Sequence, residues 1–266
     1  MPEAALAVVR MSNDQNASAH ALADKIAHDQ SLTARVLRLS NSAYYGLPRQ
    51  ITSIQDAVVL LGMRTVRHLA LVASTFPWLK RPRKGYSLGP QALWAHSIAV
   101  SVGAQLIAGN AKGVSSDEAF TAGLLHDIGK VVLSMWVEEK LVELVLRSEI
   151  EQAPFDQLER EVLGYDHAEV GAYLGIQWNL PESLTNTICL HHRPDELEPP
   201  CLLTDAVHVA DVLAMSLGYG IGGDGLHYTL SIGAMERLGL SPEQYDVIAA
   251  DMLPAVSTAL NIYGAS

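Results

Sequence analysis

Histidine and aspartate side chains recur along this chain, and both residue types bind metal ions. An adjacent pair, His126 and Asp127, lies within the largely apolar segment 123–130. Neutral imidazole and carboxylate are both good ligands for zinc, iron or manganese. Two adjacent residues of one helix point about 100° apart, so a single ion can use both only when other helices close around them. A metal site at this pair therefore needs further ligands from elsewhere in the chain.

Candidate partners occur on other predicted helices, and each lies among apolar neighbours, where an unpaired polar group is costly. They are His96, His167, His191, His192 and Asp211. Taken singly, each also has a simpler explanation as a hydrogen-bonded core residue. Asp211, for example, could pair with His208 one turn earlier, and the pair His191-His192 would suit a helix C-terminus. Residue types and spacing alone leave a shared metal site and a set of separate core residues equally open.

The composition indicates that helices position these side chains. Apolar residues make up 49% of the chain, but only 6% of all residues are aromatic. That mixture suits close-packed helices better than a sheet, which favours aromatic and β-branched residues. Helical periodicity recurs from Glu3 to Ile262, and no segment shows the period-two alternation of a strand. We therefore predict an all-α, multi-helix domain built as two packed helical lobes.

A segment rich in proline, glycine and basic residues separates the predicted lobes. We assign an N-terminal helical lobe to 1–79, a basic loop to 80–90 and a second helical lobe to 91–266. Pro77 is expected to end the preceding helix at Phe76. The loop is either a solvated segment or a contact for an acidic partner or a phosphorylated ligand. Its basic side chains, which we expect to be largely exposed, are Lys80, Arg81, Arg83 and Lys84.

Net charge and cysteine content restrict the setting in which the protein works. A formal net charge of −11 argues against direct DNA binding, which usually needs a basic surface. Cys189 and Cys201 form neither a CxxC pair nor a disulfide framework, as is typical of the reducing cytoplasm. The longest apolar stretch, taken as 69–79, is too short to span a bilayer. We therefore predict a cytoplasmic protein without membrane association.

The order and context of the candidate ligands resemble a known family. His96, then His126-Asp127, then Asp211 is similar to the ligand pattern of the HD superfamily of metal-dependent phosphohydrolases. The sequence motifs around these residues match too: LLHDIGK at 124–130, HxxxG at 167–171 and VAD at 209–211. His167, His191 and His192 resemble the additional ligands of the HD-GYP branch, which holds two or three metal ions. The resemblance thus implies that all seven side chains bind divalent metal, with iron, manganese, zinc or nickel as candidates.

The N-terminal part is similar to the HDOD family in four segments, 29–33, 37–45, 51–57 and 61–62. HDOD modules are all-helical signalling domains, often attached to response-regulator receivers or to cyclic-nucleotide signalling domains. Many have lost the HD ligands and are thought to be non-enzymatic. This chain keeps the ligand series, but it lacks the Gly-Tyr-Pro of HD-GYP enzymes after His192. It also has Ala92 where a carboxylate often precedes the first ligand.

The resemblance implies a regulatory module, the output domain of a response regulator, with a retained metal site and little or no catalysis. Protein partners and an upstream receiver or other signalling domain are expected to accompany it. The alternative is a metal-dependent phosphohydrolase acting on a nucleotide or a cyclic dinucleotide. In that case Asp127 would bridge two ions and Lys130 would neutralise a substrate phosphate, although Lys130 suits a solvent-facing helix position equally well. A third alternative is an interaction scaffold with an empty site.

Overall fold

Helices account for the regular structure of the chain over the residues that a computed structural model describes: 3–12, 18–47, 49–220, 222 and 227–264. Apart from an isolated bridge between Arg83 and Leu88, no strand pairing occurs within these ranges. The predicted all-α fold class is confirmed. The α-helices are α1 Glu3–Ser12, α2 Ala19–Ala27, α3 Gln30–Ser40, α4 Ile54–Leu61, α5 Met63–Leu79, α6 Ala92–Asn110, α7 Ser116–Leu125, α8 Ile128–Glu151, α9 Phe155–Leu163, α10 His167–Gln177, α11 Glu182–Leu190, α12 Leu202–Ser216, α13 Ile232–Leu238 and α14 Pro242–Tyr263.

The chain divides into two compact units. Unit 1 comprises Met1–Pro77 together with Ser257–Ser266, and unit 2 comprises Trp78–Val256. In unit 1, α1 packs on α2, and α2 and α3 pack on α4. In unit 2, α6 lies at the centre between α7 and α12, while α8 packs against α9 and α10. The assignment of 1–79 to an HDOD-type lobe and of 91–266 to a metal-binding lobe stays a prediction.

Helix α5 continues past the proline that was expected to end it. It runs to Leu79 with Pro77 inside, so the predicted end at Phe76 is wrong. Pro77 has no N–H to donate to the carbonyl of Ala73, one turn earlier. The guanidinium of Arg35 in α3 donates to that oxygen instead, at 3.1 Å. A contact from another helix therefore compensates for the hydrogen bond that proline removes.

The basic loop combines exposed charged side chains with buried residues that anchor it. Lys80, Arg81 and Lys84 are exposed, as predicted. Arg83 is half-buried and donates to the carbonyl of Trp78, so its predicted exposure is wrong. After these side chains, Gly85 is buried so closely against α8 that a β-carbon there would overlap the Ser134 carbonyl. The segment is thus fixed against unit 2 rather than fully solvated.

Helix α6 is longer than the apolar stretch singled out from the sequence. Within the described part of the chain, it alone is long and apolar enough to cross a bilayer by length and composition. Yet 72% of its most apolar window is buried inside the protein. Burial of that extent is typical of the central helix of a globular protein. It also explains why α6 lacks a polar face.

Two glycines next to the His-Asp pair allow helices to approach closely. A β-carbon on Gly123 in α7 would lie 2.8 Å from main-chain atoms of Ser101 in α6. A β-carbon on Gly129 in α8 would overlap the main-chain oxygen of His167 in α10. Real side chains do not tolerate such contacts, so glycine is required at both crossings. These crossings bring α6 and α10 to the two sides of the His-Asp pair.

Candidate metal centre

The adjacent His126 and Asp127 lie where one helix ends and the next begins. Helix α7 ends at Leu125 with His126 as its C-cap, and Asp127 is the N-cap of α8, with φ −97° and ψ 15°. His126 still has helical backbone angles, with φ −52° and ψ −40°. Both side chains are buried and lie close together at this junction, with His126 Nε2 3.4 Å from Asp127 Oδ2.

The structure brings all the predicted ligands to this place. His96 comes from the N-terminal part of α6, His167 begins α10, and Asp211 comes from α12. His191 is the C-cap of α11 and His192 follows it. None of the seven side chains is more than 6% exposed. These residues, here called the His/Asp cluster, are His96, His126, Asp127, His167, His191, His192 and Asp211.

Asp127 lies between two groups of histidines. Its Oδ2 is 3.5 Å from His96 Nε2 and 3.4 Å from His126 Nε2. Its Oδ1 is 3.4 Å from His167 Nε2 and 3.8 Å from His191 Nε2. The nitrogens and oxygens on each side of Asp127 lie within 4.8 Å of one another. One carboxylate thus faces two sets of nitrogen donors with its two oxygens.

Asp211 completes the cluster from the side of α12. Its Oδ1 is 3.0 Å from His96 Nε2 and its Oδ2 is 3.5 Å from His192 Nδ1. The alternative pairing of Asp211 with His208 is wrong. His208 Nδ1 donates to the His191 carbonyl at 2.8 Å, and its Nε2 accepts from the Ser231 N–H at 2.9 Å. His208 is therefore the hydrogen-bonded core residue, and its contact holds the main chain at His191.

Four of the histidines use Nδ1 for a hydrogen bond away from the cluster. Two of these bonds are local, since His126 Nδ1 pairs with the Gly123 carbonyl at 2.7 Å and His191 Nδ1 pairs with the Ile188 carbonyl at 2.8 Å. The other two are long-range, from His96 Nδ1 to the Tyr219 carbonyl at 3.1 Å and from His167 Nδ1 to Glu159 Oε2 at 2.6 Å. A neutral imidazole that donates through Nδ1 presents a lone pair at Nε2. The Nε2 atoms of all four rings therefore face the cluster.

This arrangement contains more acceptors than donors. The Nε2 atoms of His96 and His126 are 3.2 Å apart, although both rings donate through Nδ1. Three buried atoms of the cluster make no hydrogen bond: Asp127 Oδ1, His191 Nε2 and Asp211 Oδ2. Buried lone pairs without donors are costly, and a cation offsets that cost. The donor set of imidazole nitrogen and carboxylate oxygen fits a divalent ion of the zinc, iron, manganese or nickel type.

The pKa values of the cluster reflect the same shortage of positive charge. Burial lowers the pKa of His96, but the Asp211 and Asp127 carboxylates outweigh burial and raise it. Burial would raise the pKa of Asp127, but Lys130 and His126 hold it well below its usual range. Burial and neighbouring imidazoles lower the pKa of His191 well below normal. Protons on some members thus supply part of the charge that a metal ion would supply to the whole cluster.

Lys130 is inside the protein and not on its surface. Its side chain is only 7% exposed, and Nζ lies 2.7 Å from Asp127 Oδ2. The same ammonium group lies 5.5 Å from the centre of the Tyr86 ring. The solvent-facing alternative for Lys130 is therefore wrong. Its charge stabilises Asp127 directly.

Other residues at the site were missed from the sequence. Glu159 accepts two hydrogen bonds from His167 and one from the Tyr86 hydroxyl. Tyr228 stacks on His192 with ring centroids 4.2 Å apart and planes 13° from parallel. The signal for Glu159 is its position on α9, where it shares the buried face with Phe155 and Leu158. A carboxylate on an apolar helix face indicates a buried partner.

The helical fold and its internal His/Asp cluster define a protein of the HD type, and comparison with known proteins specifies the family. The profile of the HDOD domain matches residues 1–194. The chain belongs to the HDOD domain family. An uncharacterised protein of Treponema pallidum (strain Nichols) is 27% identical over 215 residues, which cover 75% of this chain and 39% of that protein. The chain therefore matches well under half of the length of this curated relative.

Two crystal structures share the fold. An HDOD domain protein of unknown function from Geobacter sulfurreducens is 28% identical, with a TM-score of 0.76 over 100% of this chain and 91% of that chain. A protein of Shewanella amazonensis SB2B, provisionally named a phosphohydrolase, is 26% identical. Its TM-score is 0.71, over 99% of this chain and 91% of that chain. Both similarities extend over the two units of the chain.

Proposed function

We propose that this chain is an HDOD regulatory module that holds divalent metal in a closed site and performs little or no catalysis. The observation that carries the proposal is the burial of the cluster, in which no ligand side chain is more than 6% exposed. Structural metal sites are closed by protein ligands, whereas catalytic sites keep a position open for water or substrate. Burial of the whole ligand set therefore supports a structural or sensing role.

The residues around the cluster support a closed site. Tyr228 covers His192 by stacking, and the Tyr219 carbonyl accepts from His96 Nδ1. Lys130 is buried against Asp127, with its side chain 7% exposed. Metal held by the seven ligands would neutralise the two carboxylates and cross-link α6, α10, α12 and the junctions after α7 and α11. That cross-link would make the arrangement of unit 2 depend on metal.

The signalling part of the proposal rests on the family and on the length of the relative. HDOD modules are regulatory, and the Treponema protein extends well beyond the region matched by this chain. We propose that the module works with protein partners and with an upstream receiver or other signalling domain, as the output domain of a response regulator. The net charge of −11 supports a role without direct DNA binding. The burial of α6 and the two free cysteines support a cytoplasmic location without membrane association.

Elemental analysis of the purified protein tests the metal-binding part. We expect iron, manganese, zinc or nickel to co-purify with the wild-type chain and to be depleted in Asp127→Ala. Asp56→Ala, a substitution of an aspartate in unit 1, serves as the matched control and should retain the metal. A wild-type protein that stays metal-free after incubation with each of these ions would overturn the proposal and favour an interaction scaffold.

A metal-dependent phosphohydrolase is the second candidate. It is favoured by Asp127, whose two oxygens face separate sets of histidines, as a carboxylate between two ions would. The name given to the Shewanella structure points in the same direction. A screen of nucleotides and cyclic dinucleotides with Mn²⁺ or Fe²⁺ separates the candidates. We expect no turnover; hydrolysis that Asp127→Ala abolishes would establish the enzyme and overturn the closed regulatory site.

A further inference from the structure

His167 differs from the other histidines of the cluster in the partner of its Nδ1 atom. His96, His126 and His191 donate to neutral main-chain carbonyls, whereas His167 pairs with the carboxylate of Glu159. We infer that Glu159 is a positioning residue for metal binding by His167, and that Tyr86 holds this carboxylate in place. The inference rests on the proposed metal-binding function and specifies which residue outside the ligand set controls it.

The Glu159 carboxylate is held in place by the hydrogen bonds that it accepts. The side chain is fully buried in the middle of α9. Its Oε2 accepts from the main-chain N–H of His167 at 2.9 Å and from His167 Nδ1 at 2.6 Å. Its Oε1 accepts from the Tyr86 hydroxyl at 2.6 Å. Three donors around one buried carboxylate satisfy both oxygens, which is the condition for keeping such a group in the interior.

This geometry selects the nitrogen of His167 that faces the cluster. The main-chain N–H can only donate, so Oε2 acts as an acceptor and Nδ1 carries the proton. His167 Nε2 is left with its lone pair, 3.4 Å from Asp127 Oδ1 and 3.0 Å from His192 Nε2. A carboxylate partner fixes the tautomer and ring orientation of a metal-binding histidine and makes it a stronger donor. Glu159 thus prepares His167 as a ligand without itself reaching the cluster.

Tyr86 connects this pair to the basic segment of the chain. It is the last residue of the 3₁₀ turn Lys84–Tyr86, and its ring is fully buried. The ring lies edge-on to His167 at 6.2 Å between centroids, and it packs on Phe155 at 6.0 Å. The preceding Gly85 is fixed against α8. The hydroxyl of Tyr86 is therefore held at one position, which restrains Glu159 in turn.

The test compares metal affinities of folded variants. Glu159→Gln preserves the shape of the side chain but removes its charge, and Tyr86→Phe removes only the hydroxyl. We expect Glu159→Gln to bind Zn²⁺ about 10–100-fold more weakly than wild type in competition with a chelator, and Tyr86→Phe to show a smaller loss. Glu161→Gln is the matched control, because Glu161 is an exposed residue of the same helix, and its Kd should equal that of wild type.

A spectroscopic readout separates positioning from general damage to the fold. The Nδ1 proton of His167 should be detectable far downfield by NMR in the Zn²⁺-loaded wild-type protein, because it lies in a short bond to a carboxylate. It should move upfield in Glu159→Gln while the Nδ1 protons of His126 and His191 stay in place.

The outcomes distinguish this inference from the proposed function. A wild-type chain that binds no Zn²⁺ contradicts the proposed function. A wild-type chain that binds Zn²⁺ with the same Kd as Glu159→Gln, and with an unchanged His167 proton, overturns the inference alone. Should Glu159→Gln fail to fold, Tyr86→Phe decides: an unchanged Kd and an unchanged His167 resonance in that variant would overturn the inference.

Discussion

Unit 1 and unit 2 each place polar side chains beside buried helices: Asn41 in unit 1 and the His/Asp cluster in unit 2. The two differ in how the polar atoms are hydrogen-bonded. The Asn41 amide donates to the carbonyls of Leu37 and Ile51 at 2.9 and 2.8 Å, and its oxygen accepts from the Ile51 N–H at 2.7 Å. Its side chain thus bonds entirely within its own unit. In the cluster, by contrast, three buried atoms make no hydrogen bond.

The difference distinguishes a structural polar residue from a binding site. Asn41 is the C-cap of α3 and ties the end of that helix to the segment before α4, so it needs no external partner. Residue types and spacing left a metal site and isolated core residues equally open for the histidines. His208 is a hydrogen-bonded core residue, whereas the cluster collects unpaired acceptors. Unpaired acceptors collected in one place could bind a cation. Four predictions test this contrast.

Metal loading should have the largest effect, and it should act on unit 2. Metal-free protein given Zn²⁺ at a thousandfold excess over Kd should gain about 4 kcal/mol in unfolding free energy. All four tryptophans lie in unit 2, so their fluorescence during denaturation reports on that unit. Asp127→Ala should abolish the gain. An equal gain in that variant would show that the ion binds elsewhere.

Lys130→Met should destabilise the metal-free protein more than the metal-loaded one. Removal of the ammonium leaves the buried Asp127 carboxylate without its cation, a change that costs about 3 kcal/mol or more. Bound metal would supply replacement charge and reduce the loss. Denaturant titrations with and without Zn²⁺ measure both values. Lys140→Met, on the same helix but 49% exposed, is the control and should be nearly neutral in both states.

Asn41→Ala should cost about 2 kcal/mol, because it leaves partly buried main-chain groups without partners. The loss should be identical with and without metal, since Asn41 lies in the other unit. Asn110→Ala removes one exposed hydrogen bond to the Leu106 carbonyl and serves as the control. Chemical denaturation followed by circular dichroism gives the comparison. A metal-dependent effect of Asn41→Ala would contradict the view that its network is independent of the cluster.

Lys84→Ala should have the smallest effect, about 0.5 kcal/mol or less. Its side chain is 77% exposed, and its 3.9 Å pair with Glu138 is open to solvent. Thermal unfolding at low and high salt should give nearly equal midpoints for the variant and wild type. A loss above about 1 kcal/mol would exceed what an exposed pair contributes and would assign the charged end of the basic loop a structural role.

The sequence by itself determined the helical class, the family and the set of residues that meet in the core. Helical periodicity and capping depend on neighbours a few positions apart, so they can be read locally. The same holds for the Nδ1 bonds of His126 and His191, each made to a carbonyl three residues earlier. The motif around the His-Asp pair likewise includes the two glycines that permit close helix crossings.

Only the tertiary structure decided how the cluster is completed and closed. Glu159 reaches His167 across the turn between α9 and α10, and Tyr86 joins it from a segment more than seventy positions away. Lys130 is buried because Asp127 compensates its charge, although its helix position suits solvent equally well. Helix α5 continues through Pro77 because Arg35 of another helix satisfies the freed carbonyl. The Asp127–Lys130 pair is local, but the contacts of Glu159, Tyr86 and Arg35 depend on partners that folding brings close.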